Sequence, residues 1–392
     1  MKKSFVHRTS SLRTFFDSNA LWLSMVIGAV GYKLFLPLKP ILPWLIFFML
    51  FFTFCKVNPL DLRLRKWHWA VLAAQLVLSF ATYALIMWFT HNTVLAQGLF
   101  MCFIMPTATA APIIAGKMGG SIQNLTTFTL LSNFATAIIV PATFPLITNY
   151  QLPITNYQLP ITNYQLPITN YQLPITNYQL PITNYQLPIT NYQFLSSFLL
   201  ILSRIAPLLL GPFFSAWLLR LGFNAYYRRK KNTNHQSPIT NREFVLPTKL
   251  AVIPFYLWVA SIVVLMATVT QTTITNFQSQ ITNILILLVS SFFACLIQFG
   301  LGKLIGYYLP APNKGKDYQD VLINPDAAPK NMNEVSSITA GQAFGQKNTS
   351  LGVWMAHTFL NPLASLGAAA YIIWQNVFNS VQLFVVAHKK AK

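Results

Sequence analysis

Ten mostly apolar stretches, each close to the length of a membrane-spanning helix, follow one another along this chain of 392 residues. About twenty residues are needed to cross the ~30 Å hydrocarbon core of a bilayer as a helix. Because backbone groups in lipid must be hydrogen-bonded internally, each stretch predicts one transmembrane helix. The predicted spans are 20–36, 41–57, 68–90, 95–116, 121–146, 194–219, 250–270, 281–308, 335–357 and 364–387.

Composition and charge exclude a water-soluble enzyme, since 54% of the residues are hydrophobic and only 9% are charged. The net charge of +20 could suggest nucleic acid binding, but the cations cluster between the apolar stretches. Cytoplasmic loops of membrane proteins carry such an excess of Lys and Arg. We therefore predict an integral protein of the plasma (inner) membrane with both termini in the cytoplasm. The lipid bilayer is its predicted partner, and binding of nucleic acid is not predicted. The basic segments are 1–19, 56–66, 117, 220–249, 303–330 and 389–392.

A tandem repeat divides the chain into two halves, 20–146 and 194–387. Six copies of LPITNYQ fill 152–193, and a partial copy precedes them at 147–151. Proline at every seventh position excludes a coiled coil. The composition predicts a disordered outer loop, with strand pairing or self-association as the alternative. We predict cytoplasmic segments at 1–19, 220–249, 309–334 and 388–392.

The fold class predicted from this organisation is an all-α membrane protein. Five spans followed by five have opposite orientations, so the prediction is a 5+5 inverted repeat. In such folds the binding site lies near the membrane midplane, where helices are interrupted. Helix four contains Pro106 and Pro112, and helix nine contains Gly341 and Gly345 before a polar run. Both are predicted to be broken helices that cross at the site.

Lys347 is the candidate charge for a site at bilayer depth. All seven acidic residues lie outside the predicted spans, and Arg204 in the sixth span is assigned to an interface or a structural pair. An unpaired ammonium at that depth costs ~3 kcal/mol or more, which favours a functional role. Three roles remain open: holding an anionic substrate group, occupying the place of a metal cation, and exchanging a proton. The structural alternative is a lysine that reaches an interface at a helix break.

Polar residues on the broken helices complete the predicted site. The predicted substrate-binding residues are Thr107, Thr109, Lys347, Asn348 and Ser350. The predicted polar support comes from Gln75, Thr129, Asn133, Gln342 and Gln346. Any one of these could instead be an ordinary interhelical hydrogen bond. No enzyme motif, metal-ligand spacing or cofactor motif occurs, so neither catalysis, a metal site nor a cofactor is predicted.

The sequence resembles the bile acid:sodium symporter family, ten-helix inverted-repeat carriers with a panel domain and a core domain. The resemblance is carried by PTATAAP at 106–112, GGSIQNLTTFTLLSNF at 119–134, IAPLLLG at 205–211, GQKNTSLG at 345–352 and AAAYIIWQNVFNS at 368–380. It covers most of the chain outside the repeat and the loop at 309–333.

Residues that would bind sodium in this family are mostly replaced here. Alignment places Ala111 and Pro112 at a Ser-Asn pair, Leu125 at a Ser, Ala343 at a Glu and Lys347 at a Gln, whereas Gln75, Thr129 and Asn348 match. Losing a carboxylate and gaining an amine disfavours a cation site. The resemblance therefore implies a divergent carrier that does not bind sodium in the usual way.

The function predicted from these observations is secondary active transport of a small or amphipathic organic anion by alternating access. One alternative is a sodium-coupled symporter of bile acid-like anions, and a proton could also be the coupling ion. The other alternative is a membrane scaffold or sensor that derives from a transporter but does not transport.

Overall fold

The computed structural model describes residues 20, 22–55, 57, 62–148, 189–233, 250, 252–311 and 331–391. Side chains at 189–193, 227–233, 387 and 389–391 are outside this description. The described part is 89% helical and contains no strand. The predicted N-terminal tail, most of the tandem repeat and most of the loop at 309–334 lie outside the described residues.

Helices follow one another with short connections in both parts of the chain. Before the repeat lie α1 (22–30), α2 (Tyr32–Phe35), a 3-10 helix (Leu36–Ile41), α3 (Leu42–Phe54), α4 (Lys66–Thr90), α5 (Thr93–Ile104), α6 (Ala111–Lys117) and α7 (Ile122–Ile147). After it lie α8 (Ile189–Thr233), α9 (Ile253–Tyr308), α10 (Met332–Gly345), α11 (Thr349–Phe359), a 3-10 helix (Pro362–Ala364) and α12 (Ser365–Ala391).

Six helical segments of the described chain are long and apolar enough to cross a membrane. They are Tyr32–Phe54, Lys66–Thr90, Ile122–Ile147, Phe194–Tyr226, Ile253–Tyr308 and Pro362–Val386. Large apolar side chains point outward along them, such as Val77 on α4, Ile138 on α7 and Leu218 on α8, each more than 60% exposed. Exposed apolar surface of this extent would be unfavourable in water and is expected in lipid. These helices are compatible with a multi-pass membrane protein.

Three helices extend past the predicted span boundaries. In α9, which has 56 residues, the backbone leaves the helical conformation at Gln280 (φ −131°, ψ 17°), so α9 consists of a first segment, 253–279, and a second segment, 281–308. The predicted gap at 271–280 is therefore helical up to this break, and Thr273 and Thr275 donate to carbonyls of their own helix there. Likewise, α8 begins inside the last repeat copy and continues to Thr233, and α12 continues to Ala391. The predicted boundaries are too short here because an apolar pattern marks the part of a helix that lies in lipid, whereas the helix itself can continue into water.

Two apolar stretches are each divided into two helices. Between α5 and α6, Pro106 lacks an amide hydrogen and disfavours helical backbone at Met105, whose ψ is 137°. Between α10 and α11 there is no proline. There, Gln346 is extended, and the side chain of Asn348 accepts the amide hydrogen of Leu351 as the N-cap of α11.

Glycines bring α9 and α10 into close contact. A Cβ atom on Gly306 would lie 2.1 Å from the carbonyl oxygen of Ser336, and one on Gly302 would lie 2.6 Å from that of Ala340. The two glycines are four residues apart, the spacing by which membrane helices approach closely. This contact holds α10 against the second segment of α9.

Candidate functional site

The two divided helices cross where their non-helical segments meet. Thr107 and Lys347 form an isolated antiparallel bridge. The amide of Asn348 donates to the Pro106 carbonyl at 2.7 Å, and the amide of Ala108 donates to the Gln346 carbonyl at 2.9 Å. Backbone groups that the helix breaks leave unpaired are therefore paired across the crossing.

Side chains of the bridging residues also reach across the crossing. The hydroxyl of Thr107 donates to the Ala343 carbonyl on α10 at 2.7 Å. The amine of Lys347 donates to the Phe103 carbonyl on α5 at 3.0 Å. The crossing is further held by Gln375 on α12, whose side-chain oxygen accepts the Lys347 amide at 3.0 Å.

Every terminal carbonyl of α5 accepts a hydrogen bond from a side chain of another element. A helix leaves its last four carbonyls without helical partners. In α5 these belong to Cys102, Phe103, Ile104 and Met105. Gln298 on α9 donates to the Cys102 carbonyl at 3.1 Å, and Lys347 donates to the Phe103 carbonyl. Gln75 on α4 donates to the Ile104 carbonyl at 3.0 Å and to the Met105 carbonyl at 3.2 Å. Three parts of the chain thus complete one helix end.

Lys347 is buried with no acidic partner in the described part of the chain. Its side chain is 1% exposed, and its amine lies 5.0 Å from the ring centroid of Phe344. Of the seven acidic residues, only Glu334 falls within the described residues, and it is exposed at the start of α10. The amine therefore lies beside a carbonyl, a ring face and the C-terminal end of α5, three groups that would each favour its protonated form.

Three buried polar atoms near the crossing have no hydrogen-bond partner among the described residues. They are Oε1 of Gln75, Oε1 of Gln298 and Nδ2 of Asn348. Their residues are 1%, 0% and 5% exposed, respectively. Buried polar groups are normally paired, so these atoms mark positions where a ligand group could bind.

The remaining predicted substrate-binding residues occupy two different environments. Ser350 is buried in the first turn of α11, with its hydroxyl 3.5 Å from that of Ser261 on α9. Thr109 is half-buried in the turn before α6, and no hydrogen bond in the described part joins it to the crossing. The structure thus brings Thr107, Lys347 and Asn348 together and leaves Thr109 at the margin.

Amide side chains extend from the crossing along α10 and α12. Gln346 donates to Gln342 and also to Asn379 on α12 at 3.1 Å. Gln342 donates in turn to Gln382 at 3.3 Å. Gln375, Asn379 and Gln382 share one face of α12. The first two lie in the 368–380 segment that carries the family resemblance, but none of the three was predicted as a site residue. Their only sequence signal is an amide within an apolar stretch.

Two predicted support residues bond within their own helix. The Thr129 hydroxyl donates to the Leu125 carbonyl at 2.9 Å, and the Asn133 amide donates to the Thr129 carbonyl at 2.7 Å. Their neighbour Ser132 contacts the crossing instead, because its hydroxyl accepts the Thr107 amide at 3.2 Å. Ser132 is a polar residue of the same predicted span, but it was not among the five predicted support residues.

Comparison with models of known protein families finds no match for this chain, and comparison with curated proteins finds none either. Among the described residues, no group of three or more His, Cys, Asp or Glu side chains is placed to hold a metal ion. The features that bear on function are therefore those of the crossing: two interrupted helices, a buried lysine amine and three polar atoms without a partner among the described residues.

Proposed function

We propose that this protein is a secondary active carrier of a small or amphipathic organic anion that works by alternating access. The observation that carries the proposal is the crossing of two interrupted helices around the buried amine of Lys347. Interrupted helices of this kind form binding sites in many carriers, where helix ends and unpaired backbone groups contact the cargo.

In this proposal the chain crosses the membrane ten times as a 5+5 inverted repeat. The two segments of α9 each cross once, and the pairs α5–α6 and α10–α11 each count as one crossing. Support comes from the antiparallel pairing of Thr107 with Lys347, since each belongs to the interrupted helix of one half. The resemblance to the bile acid:sodium symporter family supports the same arrangement, with both termini in the cytoplasm.

An anionic cargo is supported by the sign of the charges at the crossing. Lys347 contributes a positive charge, and no described carboxylate neutralises it. Nδ2 of Asn348 is a buried donor without an acceptor at the N-terminus of α11. Helix N-termini favour anions through their free amides and dipole. We propose that the cargo anion contacts Asn348, with Thr109 and Ser350 at its margin.

In this proposal, transport does not depend on sodium because of the positive charge of Lys347. A second cation ~4 Å from the ammonium would be repelled by about 4 kcal/mol at an effective dielectric constant of about 20. That energy corresponds to a roughly thousandfold loss of affinity. Sodium coupling is kept as a second candidate because Oε1 of Gln75, a residue that matches the family's sodium ligands, has no partner among the described residues.

Transport by purified protein in liposomes tests the proposal. A panel of organic carboxylates and sulfonates is screened for thermal stabilisation, and uptake of each stabilising anion is measured with a sodium gradient, a proton gradient and neither. We expect saturable uptake that does not depend on sodium. Full sodium dependence would establish the symporter instead, and absence of any stabilising anion would favour a scaffold or sensor.

Two lysine substitutions test whether uptake depends on the charge of Lys347 itself. Lys347→Met keeps the side-chain volume and removes the charge, and we expect at least about a tenfold loss of uptake, or about 1.4 kcal/mol. Lys303→Met is the matched control, because Lys303 on α9 is half-buried and takes part in none of the hydrogen bonds described at the crossing. Equal uptake by both variants would contradict a role of the Lys347 charge.

A further inference from the structure

We propose that His357 keeps the outer end of this protein closed while its imidazole is neutral and lets it open when the imidazole is protonated. The contact consists of Lys39, His357 and Thr272, which we call the outer cluster. Such a contact would regulate access to the crossing, so its role in transport rests on the proposed function. Movement of the protein without cargo tests the outer cluster, so it and the transport proposal can each fail alone.

The outer cluster joins three elements at one end of the molecule. Lys39 lies in the 3-10 helix Leu36–Ile41, between the first two predicted spans, and His357 lies in the last turn of α11. Thr272 lies on the first segment of α9, near the break at Gln280. Nζ of Lys39 is 3.4 Å from Nδ1 of His357, and Oγ1 of Thr272 is 3.5 Å from Nε2 of the same ring. One imidazole thus connects α11 to two other elements.

The hydrogen bonds of Thr272 indicate which nitrogen of His357 carries hydrogen. The hydroxyl of Thr272 donates its hydrogen to the Thr268 carbonyl at 3.0 Å, so its oxygen accepts from Nε2–H of His357. A neutral imidazole with its hydrogen on Nε2 has a free lone pair on Nδ1. That lone pair faces the ammonium of Lys39 and can accept one of its hydrogens. Together, the two contacts require a neutral His357.

Protonation of His357 would break its contact with Lys39. Nδ1 would then carry a hydrogen and could no longer accept one, and two positive charges would face each other at 3.4 Å. Imidazole is the side chain that ordinarily changes its charge between about pH 5 and about pH 8. A mildly acidic exterior would therefore drive Lys39 and His357 apart.

The charges around His357 do not offset this repulsion. Lys39 is the charged group with which His357 interacts in the described part of the chain. The other elements packed against α11 are α3, α5, α9, α12 and the 3-10 helix Pro362–Ala364. Of these, α3, α5 and the 3-10 helix contain no charged residue, whereas Lys303 on α9 and His388 on α12 lie near the opposite ends of their helices. No described carboxylate belongs to any of these elements.

Repulsion in the outer cluster would act on the boundary between α11 and the first segment of α9. The start of α11 is bound to the crossing, since the amide of Asn348 donates to the Pro106 carbonyl at 2.7 Å. The printed polar contacts of α11 with the first segment of α9 are longer, because Ser350 lies 3.5 Å from its partner hydroxyl and His357 lies 3.5 Å from that of Thr272. The charge pattern predicts that this end faces outward. Protonation from outside would thus favour opening of the crossing toward the exterior.

Distances between two spin labels test this proposal. Leu34 on α2, the helix that precedes the 3-10 helix of Lys39, and Thr93 at the start of α5 are both exposed and can carry the labels as cysteines. The three native cysteines are buried. The purified full-length protein is placed in lipid nanodiscs without cargo, at about pH 7.5 and at about pH 5.5. We expect acid to raise the fraction of the longer distance at least about twofold. A distance distribution that does not change with pH would overturn the proposal.

Substitutions within the outer cluster show whether His357 causes the response. His357→Gln brings an amide oxygen that can accept from Lys39 at every pH, so we expect its distances not to change with pH. Lys39→Met removes the repelling charge and should also abolish the response, and it decides alone if His357→Gln does not fold. His91→Gln and Lys33→Met are the matched controls, because both residues are exposed at the same end of the molecule, and both should respond as wild type does. A response of wild-type size in either cluster variant, or its loss in either control, would contradict the proposal.

Discussion

Thr107 and Lys347 each donate a side-chain hydrogen bond to the carbonyl four residues before the other. Thr107 donates to Ala343 at 2.7 Å, and Lys347 donates to Phe103 at 3.0 Å. In an uninterrupted helix these two carbonyls would accept the backbone amides of Lys347 and Thr107. Each residue thus supplies from its side chain the bond that the break removes from the other helix.

Removing the Thr107 hydroxyl should destabilise the fold. Thr107→Val keeps the shape of the side chain and leaves the Ala343 carbonyl buried without its donor. We expect a loss of about 1–3 kcal/mol in unfolding free energy, measured by denaturation in detergent. Thr275→Val is the control, since Thr275 is exposed and bonds within α9. It should change stability by less than about 0.5 kcal/mol. An equal loss in both variants would contradict the role given to Thr107.

Substitution by alanine should have different effects on stability at two glycines of α9, Gly306 and Gly300. Gly306→Ala places a methyl group 2.1 Å from the Ser336 carbonyl, so the backbone of α10 must move. We expect a loss of about 1–3 kcal/mol, the usual range for overpacking. Gly300 lies on the same helix with nothing within 4 Å of a Cβ, so Gly300→Ala should be neutral or stabilising by up to about 1 kcal/mol. Thermal unfolding of the two variants compares them directly.

Loss of an amide side chain of α12 should destabilise the protein more on the face that contacts α10 than elsewhere on the helix. Asn379→Leu removes the acceptor of Gln346 and should cost about 1–3 kcal/mol in unfolding free energy. Asn376→Leu is the matched control, because the hydrogen bond that Asn376 makes in the described part of the chain goes to the Ile372 carbonyl of its own helix. Its cost should stay below about 1 kcal/mol. If Asn376→Leu costs as much, the contact between α10 and α12 does not account for the effect.

A carboxylate at the start of α11 should impair anion binding without unfolding the site. In Asn348→Asp an oxygen can still accept the Leu351 amide, so the helix cap is kept. The unpartnered donor is lost and a negative charge faces the proposed cargo. For an anion that wild type transports, we expect at least about a tenfold loss of uptake, or about 1.4 kcal/mol. Asn331→Asp, a matched cap at the exposed start of α10, should transport normally. Wild-type uptake by Asn348→Asp would refute the proposed anion contact.

Sequence alone predicts where helices are interrupted when the cause is local. Pro106 cannot donate a backbone hydrogen bond, so α5 must end near it. The interruption before Lys347 is also foreseeable, since a glycine precedes several consecutive polar residues. That these two segments contact each other follows from the inverted-repeat hypothesis, and Thr107 and Lys347 do meet in the structure.

The partners of these segments could not be predicted from sequence. Gln298 appears as one amide in an apolar stretch, and Gln375 stands beside Asn376 in another; interhelical hydrogen-bonding residues commonly occur in such places. That one caps α5 and the other accepts the Lys347 amide depends on helix packing, which no local pattern encodes. Thr129 and Asn133 were predicted to support the site, yet both donate to carbonyls of their own helix, which the sequence could not indicate either.

The completed end of α5 limits which parts of the molecule can move. Pulling α4 or the second segment of α9 away from α5 would strand buried carbonyls, each at about 1–3 kcal/mol. In the proposed transport cycle we therefore expect these helices to move together with the crossing. The first segment of α9 is joined to α11 by two longer polar contacts, Ser261 with Ser350 and Thr272 with His357, each at 3.5 Å. A sliding boundary would pass there, beside the proposed cargo.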